Sequence, residues 1–113
     1  MMTAEGLHWA TNFSCFTEVI DDNILLHFHK YWSNPDKESI KAYVDKREGL
    51  GVPIFMGEGG ENSLAWYFEA FRLYEQHDIP TNFWSYKKME TKNSVISFDK
   101  PDKWDEFLVG SLN

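Results

Sequence analysis

Glu58 sits among glycines in Gly57-Glu58-Gly59-Gly60, directly after the apolar run Val52-Pro53-Ile54-Phe55-Met56. In parallel α/β folds the carboxyl ends of strands are where ligands bind, so an acid placed there is a candidate for catalysis as well as for a surface turn. The glycines suggest a phosphate loop, but the Lys of a P-loop and the GxGxxG spacing are absent, and an acid in the loop repels phosphate. A second cluster is His27-Phe28-His29-Lys30-Tyr31. Positions i, i+2 and i+4 of a strand share a face, so His27, His29 and Tyr31 point together. A His-x-His pair can bind zinc, which needs a third and usually a fourth ligand. No Asp and no second His pair has suggestive spacing. The expectation is therefore a hydrogen-bonding pair that orients a carboxylate, with no metal and no cofactor; a small metal-dependent hydrolase using His27 and His29 is the lesser alternative. The third cluster is Phe83-Trp84-Ser85-Tyr86. Trp and Tyr suit a packed strand, but the flat face of Trp84 could equally stack on the C–H surface of a sugar ring.

Composition narrows the partners. The chain has 113 residues, enough for one domain or less. It carries 18 acids against 11 bases, a net charge of −7, which argues against nucleic acid or an anionic membrane. A single Cys (Cys15) excludes an intrachain disulfide and a thiolate zinc cluster. Apolar runs are only a few residues long, so no membrane span is expected, and Met1-Met2-Thr3 lacks the regions of a signal peptide. These features leave localisation open.

The elements that must position the three clusters follow in order. Residues 1–23 read as lead-in loop. Ile24 to His29 reads as a buried strand. Ser33-Asn34-Pro35-Asp36 starts a helix, with Ile40, Tyr43, Val44 and Arg47 at helical spacing and Gly49 as the stop. Val52 to Met56 is a second strand. Asn62-Ser63 opens a second helix with Leu64, Tyr67, Phe68, Phe71 and Tyr74 on one stripe. Ile79-Pro80 ends it, Thr81 to Tyr86 is a third strand, and Asp102–Leu112 is a last helix with Trp104, Phe107 and Leu108 inward. Three strand–helix units (24–49, 50–78 and 79–113) demand an α/β fold with a parallel sheet and right-handed crossovers. Three such strands leave both edges bare, whereas a complete (β/α)8 barrel needs roughly 250 residues.

Four stretches together resemble the C-terminal part of glycoside hydrolase family 5, the cellulase-type (β/α)8 barrels. Glu5-Gly6-Leu7-His8-Trp9-Ala10-Thr11-Asn12-Phe13-Ser14 is similar to the segment after the family's fifth strand. Leu26-His27-Phe28-His29-Lys30-Tyr31-Trp32 is similar to the sixth strand, Pro53-Ile54-Phe55-Met56-Gly57-Glu58-Gly59-Gly60 to the seventh, and Asn82-Phe83-Trp84-Ser85-Tyr86-Lys87 to the eighth. The resemblance implies three βα units equivalent to strands 6–8, a partial barrel with helices outside. It implies Glu58 as the nucleophile of a retaining β-glycosidase, supported by His29 and Tyr31, with Trp84 as the sugar-stacking residue.

A retaining mechanism uses two carboxylates about 5 Å apart. In the family the acid/base Glu follows an Asn at the end of the fourth strand. No Asn-Glu dipeptide precedes His29, and Glu61-Asn62 is reversed. The resemblance therefore implies a fragment carrying the nucleophile without the acid/base, inactive by itself. Its expected partners are a β-linked polysaccharide or oligosaccharide, together with a second copy or a missing N-terminal barrel part. The apolar strand residues Ile54, Met56 and Trp84 are expected to be bare on the barrel side. A non-catalytic glucan-binding or assembly module is the alternative. Relatives of this kind are commonly secreted or periplasmic.

Overall fold

A computed structural model of the protein describes residues 1–111. Four parallel strands form one sheet in the order β1-β2-β3-β4: β1 (Met2–Glu5), β2 (Ile24–Lys30), β3 (Ile54–Gly60) and β4 (Thr81–Trp84). Helices α2 (Lys37–Leu50) and α3 (Leu64–Gln76) make the crossovers. The three expected βα units are present, and a further strand precedes them. Residues 1–23, expected as loop, contain β1, which pairs with β2 from Met2↔Ile24 to Glu5↔His27. They also contain α1 (Leu7–Ala10), a single turn. After β4 a small parallel ribbon, β5 (Lys87–Met89) with β6 (Ile96–Phe98), leads to α4 (Trp104–Ser111). The third strand is thus shorter than expected, ending at Trp84. The helix expected from Asp102 begins at Trp104, and its expected end at Leu112 lies outside the described residues.

Local chemistry explains the helix boundaries. Asp36 caps α2, its carboxylate accepting from the Ser39 N–H at 2.9 Å, which satisfies a donor that the first turn leaves without a backbone partner. The stop is Gly51, not Gly49: Gly51 takes the left-handed φ of 66° and its N–H donates to the Arg47 carbonyl at 2.8 Å. Ser63 caps α3 through the Trp66 N–H. The Arg47 guanidinium reaches across to the His77 carbonyl at 2.6 Å, tying α2 to the end of α3.

The core lies between the sheet and these two helices. Phe28 is fully buried, with its ring stacked on Tyr43 at 4.1 Å and a 7° interplanar angle. Phe13 packs edge-on against Tyr43 at 4.9 Å, so the segment after β1 closes one side of the core. Ile54 and Met56 are 1% and 0% exposed and belong to this core, not to the barrel-side face where the sequence expectation put them. On α3 the buried residues are Trp66, Tyr67, Ala70, Leu73 and Tyr74, whereas Leu64 and Phe68 lie exposed. The expected stripe was therefore rotated: the Trp66–Ala70–Leu73 row faces the sheet with Tyr67 and Tyr74. On α4, Trp104 is half-buried but Phe107 and Leu108 are exposed, so this helix does not turn them inward.

The opposite face of the sheet has no layer over it among the described residues. Thr3, Leu25, His27, His29 and Phe55 alternate with the core residues and are only partly covered or exposed. The radius of gyration is 17.6 Å, against about 13 Å for a compact chain of about this length. The extents of 54 × 35 × 21 Å describe a slab rather than a ball. That shape suits an open segment of a barrel wall.

Burial fixes what substitutions do here. Phe28→Ala is expected to destabilise the fold by about 3–5 kcal/mol, read as a lowered urea midpoint. Phe68→Ala, on the exposed side of α3, is expected to change it by less than about 0.5 kcal/mol. Equal losses from the two would place the core on the wrong side of α3.

Candidate active site

The site forms at the carboxyl ends of β2 and β3, and a bulge builds it. Pairing runs Phe28↔Met56 and then His29↔Glu58, so β3 holds one residue more than β2 between these partners. Simple alternation would send Glu58 to the helix side with Ile54 and Met56. The extra residue, Gly57, reverses the phase and brings Glu58 out on the His29 side. Gly57 is small for a reason: a Cβ there would lie 3.0 Å from the His27 ring and 3.2 Å from the Phe55 ring. Gly60, at φ 145°, packs still more closely, since a Cβ would fall 2.1 Å from both the Trp84 carbonyl oxygen and the Tyr67 hydroxyl.

Glu58 Oε2 then lies 3.3 Å from His29 Nδ1. The Tyr31 hydroxyl faces the same carboxylate as a hydrogen-bond donor. The Tyr31 phenol is held well above the ordinary tyrosine range, first by burial and then by its hydrogen bond to Glu58 and the negative charges of Glu58 and Glu61. It therefore stays a donor to Glu58 at any ordinary pH. Glu58 and His29 are both partly buried, with 28% and 17% of their side chains exposed, so this pair is shielded yet reachable.

Of the residues singled out from sequence, His29, Tyr31 and Glu58 come together. They line a cavity of about 820 Å³ with His8, Trp9, Thr11, Lys30, Trp32, Ser33 and Tyr43. Trp84 does not line it. It ends β4 on the other side of Glu58, half-exposed, and its carbonyl accepts from the Glu61 N–H at 3.0 Å and the Tyr67 hydroxyl at 3.2 Å. Glu61 is in turn ion-paired with Lys88, which anchors the loop after β3. His27 turns away from Glu58 to Glu5, with Nε2 to Oε1 at 2.8 Å.

Sequence reasoning missed three contributors. Glu5 was hidden because four polar and apolar residues before a glycine look like loop. Trp9 and Trp32, 88% and 80% exposed, stand at the cavity. The signal for Trp9 is conformational: His8, Trp9 and Ala10 carry positive φ values of 52°, 54° and 60°, a conformation non-glycine residues adopt at a cost of about 1–2 kcal/mol each. The turn is secured by the Leu7 N–H to Asn12 carbonyl bond at 2.8 Å and by the Tyr43 hydroxyl donating to the Thr11 carbonyl at 2.8 Å. Lys30 at the floor is buried; desolvation lowers its ammonium pKa, opposed by Asp36.

The chain matches no family model, and a search of curated proteins found no match. A solved structure is similar in fold: the catalytic domain of a mannanase from Streptomyces sp. SirexAA-E, with a TM-score of 0.50 over 74% of this chain at 17% identity. The chain spans 29% of that domain's length. The fold is thus a parallel α/β sheet with its helices on one face, similar to a segment of that catalytic domain. No helix is long and apolar enough to cross a membrane among the described residues.

Two outcomes check this geometry. Gly60→Ala is expected to destabilise the protein by about 1–3 kcal/mol, because backbone and a packed tyrosine must move; thermal melting reads it. The alkaline limb of stability is set by phenols. Tyr31, Tyr43 and Tyr74 are all pushed up chiefly by burial. The folded state then holds protons that the unfolded chain releases near pH of about 10. Their contribution is complete below that pH and is lost as pH rises through the higher folded values. Urea midpoints are expected to fall above about pH 10 and to fall less steeply in Tyr31→Phe.

Proposed function

We propose that this chain is the C-terminal portion of a retaining β-glycoside hydrolase of the cellulase or endo-β-1,4-glucanase type, similar to glycoside hydrolase family 5, with Glu58 as its nucleophile. The observation that carries the reading is the bulge-directed Glu58 at a strand's carboxyl end, held by His29 and Tyr31 beside an aromatic-flanked cavity. The substrate class is a β-linked polysaccharide or oligosaccharide, and the mannanase similarity in fold keeps β-mannan beside β-glucan.

In this reading Glu58 attacks the anomeric carbon as a carboxylate. The C–O bond to the leaving sugar breaks, and a covalent glycosyl ester forms on Glu58. His29 and Tyr31 position the attacking oxygens. Trp84 on one side and Trp9 with Trp32 on the other offer flat apolar faces for sugar rings. A second carboxylate, about 5 Å from Glu58, must protonate the leaving oxygen and later activate water. No residue of this chain is assigned that role. Absence of general acid/base help removes about 10²–10⁴-fold in rate, and an incomplete cleft loses substrate positioning as well. The isolated chain is therefore expected to be inactive.

Four strands are half of an eight-stranded barrel. Among the described residues β1 and β4 have bare outer edges and one sheet face is uncovered, which fits pairing with further barrel strands, from a second copy or from a separate N-terminal part. Light scattering after size exclusion is expected to show such an assembly, and a monodisperse monomer would overturn that part of the reading.

The catalytic assignment is tested with a 2-fluoro glycoside and peptide mass spectrometry. A label on Glu58 is expected when the complementary barrel strands are supplied, with no label in Glu58→Gln. If a glucan or mannan binds the chain, loss of binding in Trp84→Ala together with failure of Glu58 to label under any reconstitution would favour a non-catalytic binding module instead.

A further inference from the structure

On the open face of the sheet, Glu5 of β1 and His27 of β2 are register partners. His29 follows two residues later on the same face, its ring stacked on that of His27 at 5.3 Å. One donor atom from each of Glu5, His27 and His29 lies within 4.8 Å of the other two. Two features say that the hydrogen bonding of these rings is unfinished. Nδ1 of His27 is buried without a hydrogen-bond partner among the described residues. Nδ1 of His29 is taken up by Glu58 at 3.3 Å, which leaves Nε2 as the nitrogen His29 has for another partner.

We propose that Glu5, His27 and His29 form a binding site for a divalent transition-metal ion of the zinc type, with Glu58 as the outer carboxylate on His29. The donor set decides the class. Two imidazoles and one carboxylate match zinc and its borderline neighbours, whereas calcium and magnesium take oxygen ligands. Zinc holds such donors at about 2.0–2.2 Å, so the three side chains must draw somewhat closer. Glu5 is free to do so, since 57% of its side chain is exposed. A carboxylate on the far ring nitrogen of a ligating histidine fixes its tautomer and raises its basicity, and Glu58 occupies that place on His29. Three protein ligands leave a position for water or an added ligand. The missing third ligand that the sequence did not offer is thus supplied by pairing β1 with β2. The site shares His29 with the glycosidase reading but does not depend on it.

The test uses the whole chain, stripped with chelator, then titrated with zinc chloride by calorimetry and with cobalt chloride by visible absorption. One ion per chain is expected, with a cobalt d–d band of a low-coordinate nitrogen and oxygen site. Glu5→Gln and His27→Gln are each expected to weaken binding by about tenfold or more, while His77→Gln leaves it unchanged. Circular dichroism checks that each variant is folded; Glu5→Gln, at an exposed side chain, keeps the test open if His27→Gln does not fold. Absence of stoichiometric binding overturns the proposal. So does binding that both substitutions leave untouched, which would place the ion on another histidine. Labelling of Glu58 by a fluoro glycoside is a separate readout, so either reading can fail without the other.

Discussion

One extra residue in β3 governs the site. Strand alternation is strict, so a run that buries Ile54 and Met56 against the helices commits every second residue after them to the same side. Without the bulge at Gly57, the Glu58 carboxylate would be driven into an apolar layer. With it, the same strand serves two demands: a core face up to Met56 and a chemically useful acid immediately afterwards. The glycine suits that place because a Cβ would crowd the His27 and Phe55 rings, which would have to give by a few tenths of an ångström. Bulges are common next to active sites because they re-aim a side chain at small expense to the ladder.

The aromatic content is then explained by a division of labour. Phe13, Phe28, Tyr43 and Tyr74 build an aromatic layer between sheet and helices, with Phe28 stacked on Tyr43 and the other rings edge-on. Tyr67, Phe71 and Phe83 join β4 to α3. Trp9 and Trp32 instead stand outside the core at the mouth of the cavity. Phenols serve both sides, since Tyr43 packs on Phe28 while its hydroxyl holds the Thr11 carbonyl that anchors the turn bearing Trp9. The core and the cavity rim are thereby linked through one side chain.

The polar residues on the open face show a related economy. Each histidine of the His-x-His pair meets a different carboxylate, His27 with Glu5 and His29 with Glu58. A face carrying four ionisable side chains would be unsuited to a hydrophobic barrel interior, but it suits the mouth of one, where ligands approach the carboxyl ends of strands.

The order of the three βα units, the helix starts near Asp36 and Ser63, the buried β2 and β3, and the candidates Glu58, His29 and Tyr31 were legible in the amino-acid sequence, although the cap of α2 proved to be Asp36 itself, with Pro35 before the helix. Capping, hydrophobic period and glycine placement are local, and they act within a few residues. Other features were not legible. The four residues of β1 become a strand only because Ile24 to His27 offer them a parallel partner. The face of α3 that turns inward depends on where the sheet lies, so Leu64 and Phe68 could be placed only once the packing was known. The meeting of Glu5 with His27 and the phase reversal at Gly57 are both products of register between strands far apart in the chain. Sequence determined the three βα units and their order, because those follow from neighbours along the chain. Tertiary structure decided which side chains face one another, because that follows from neighbours across it.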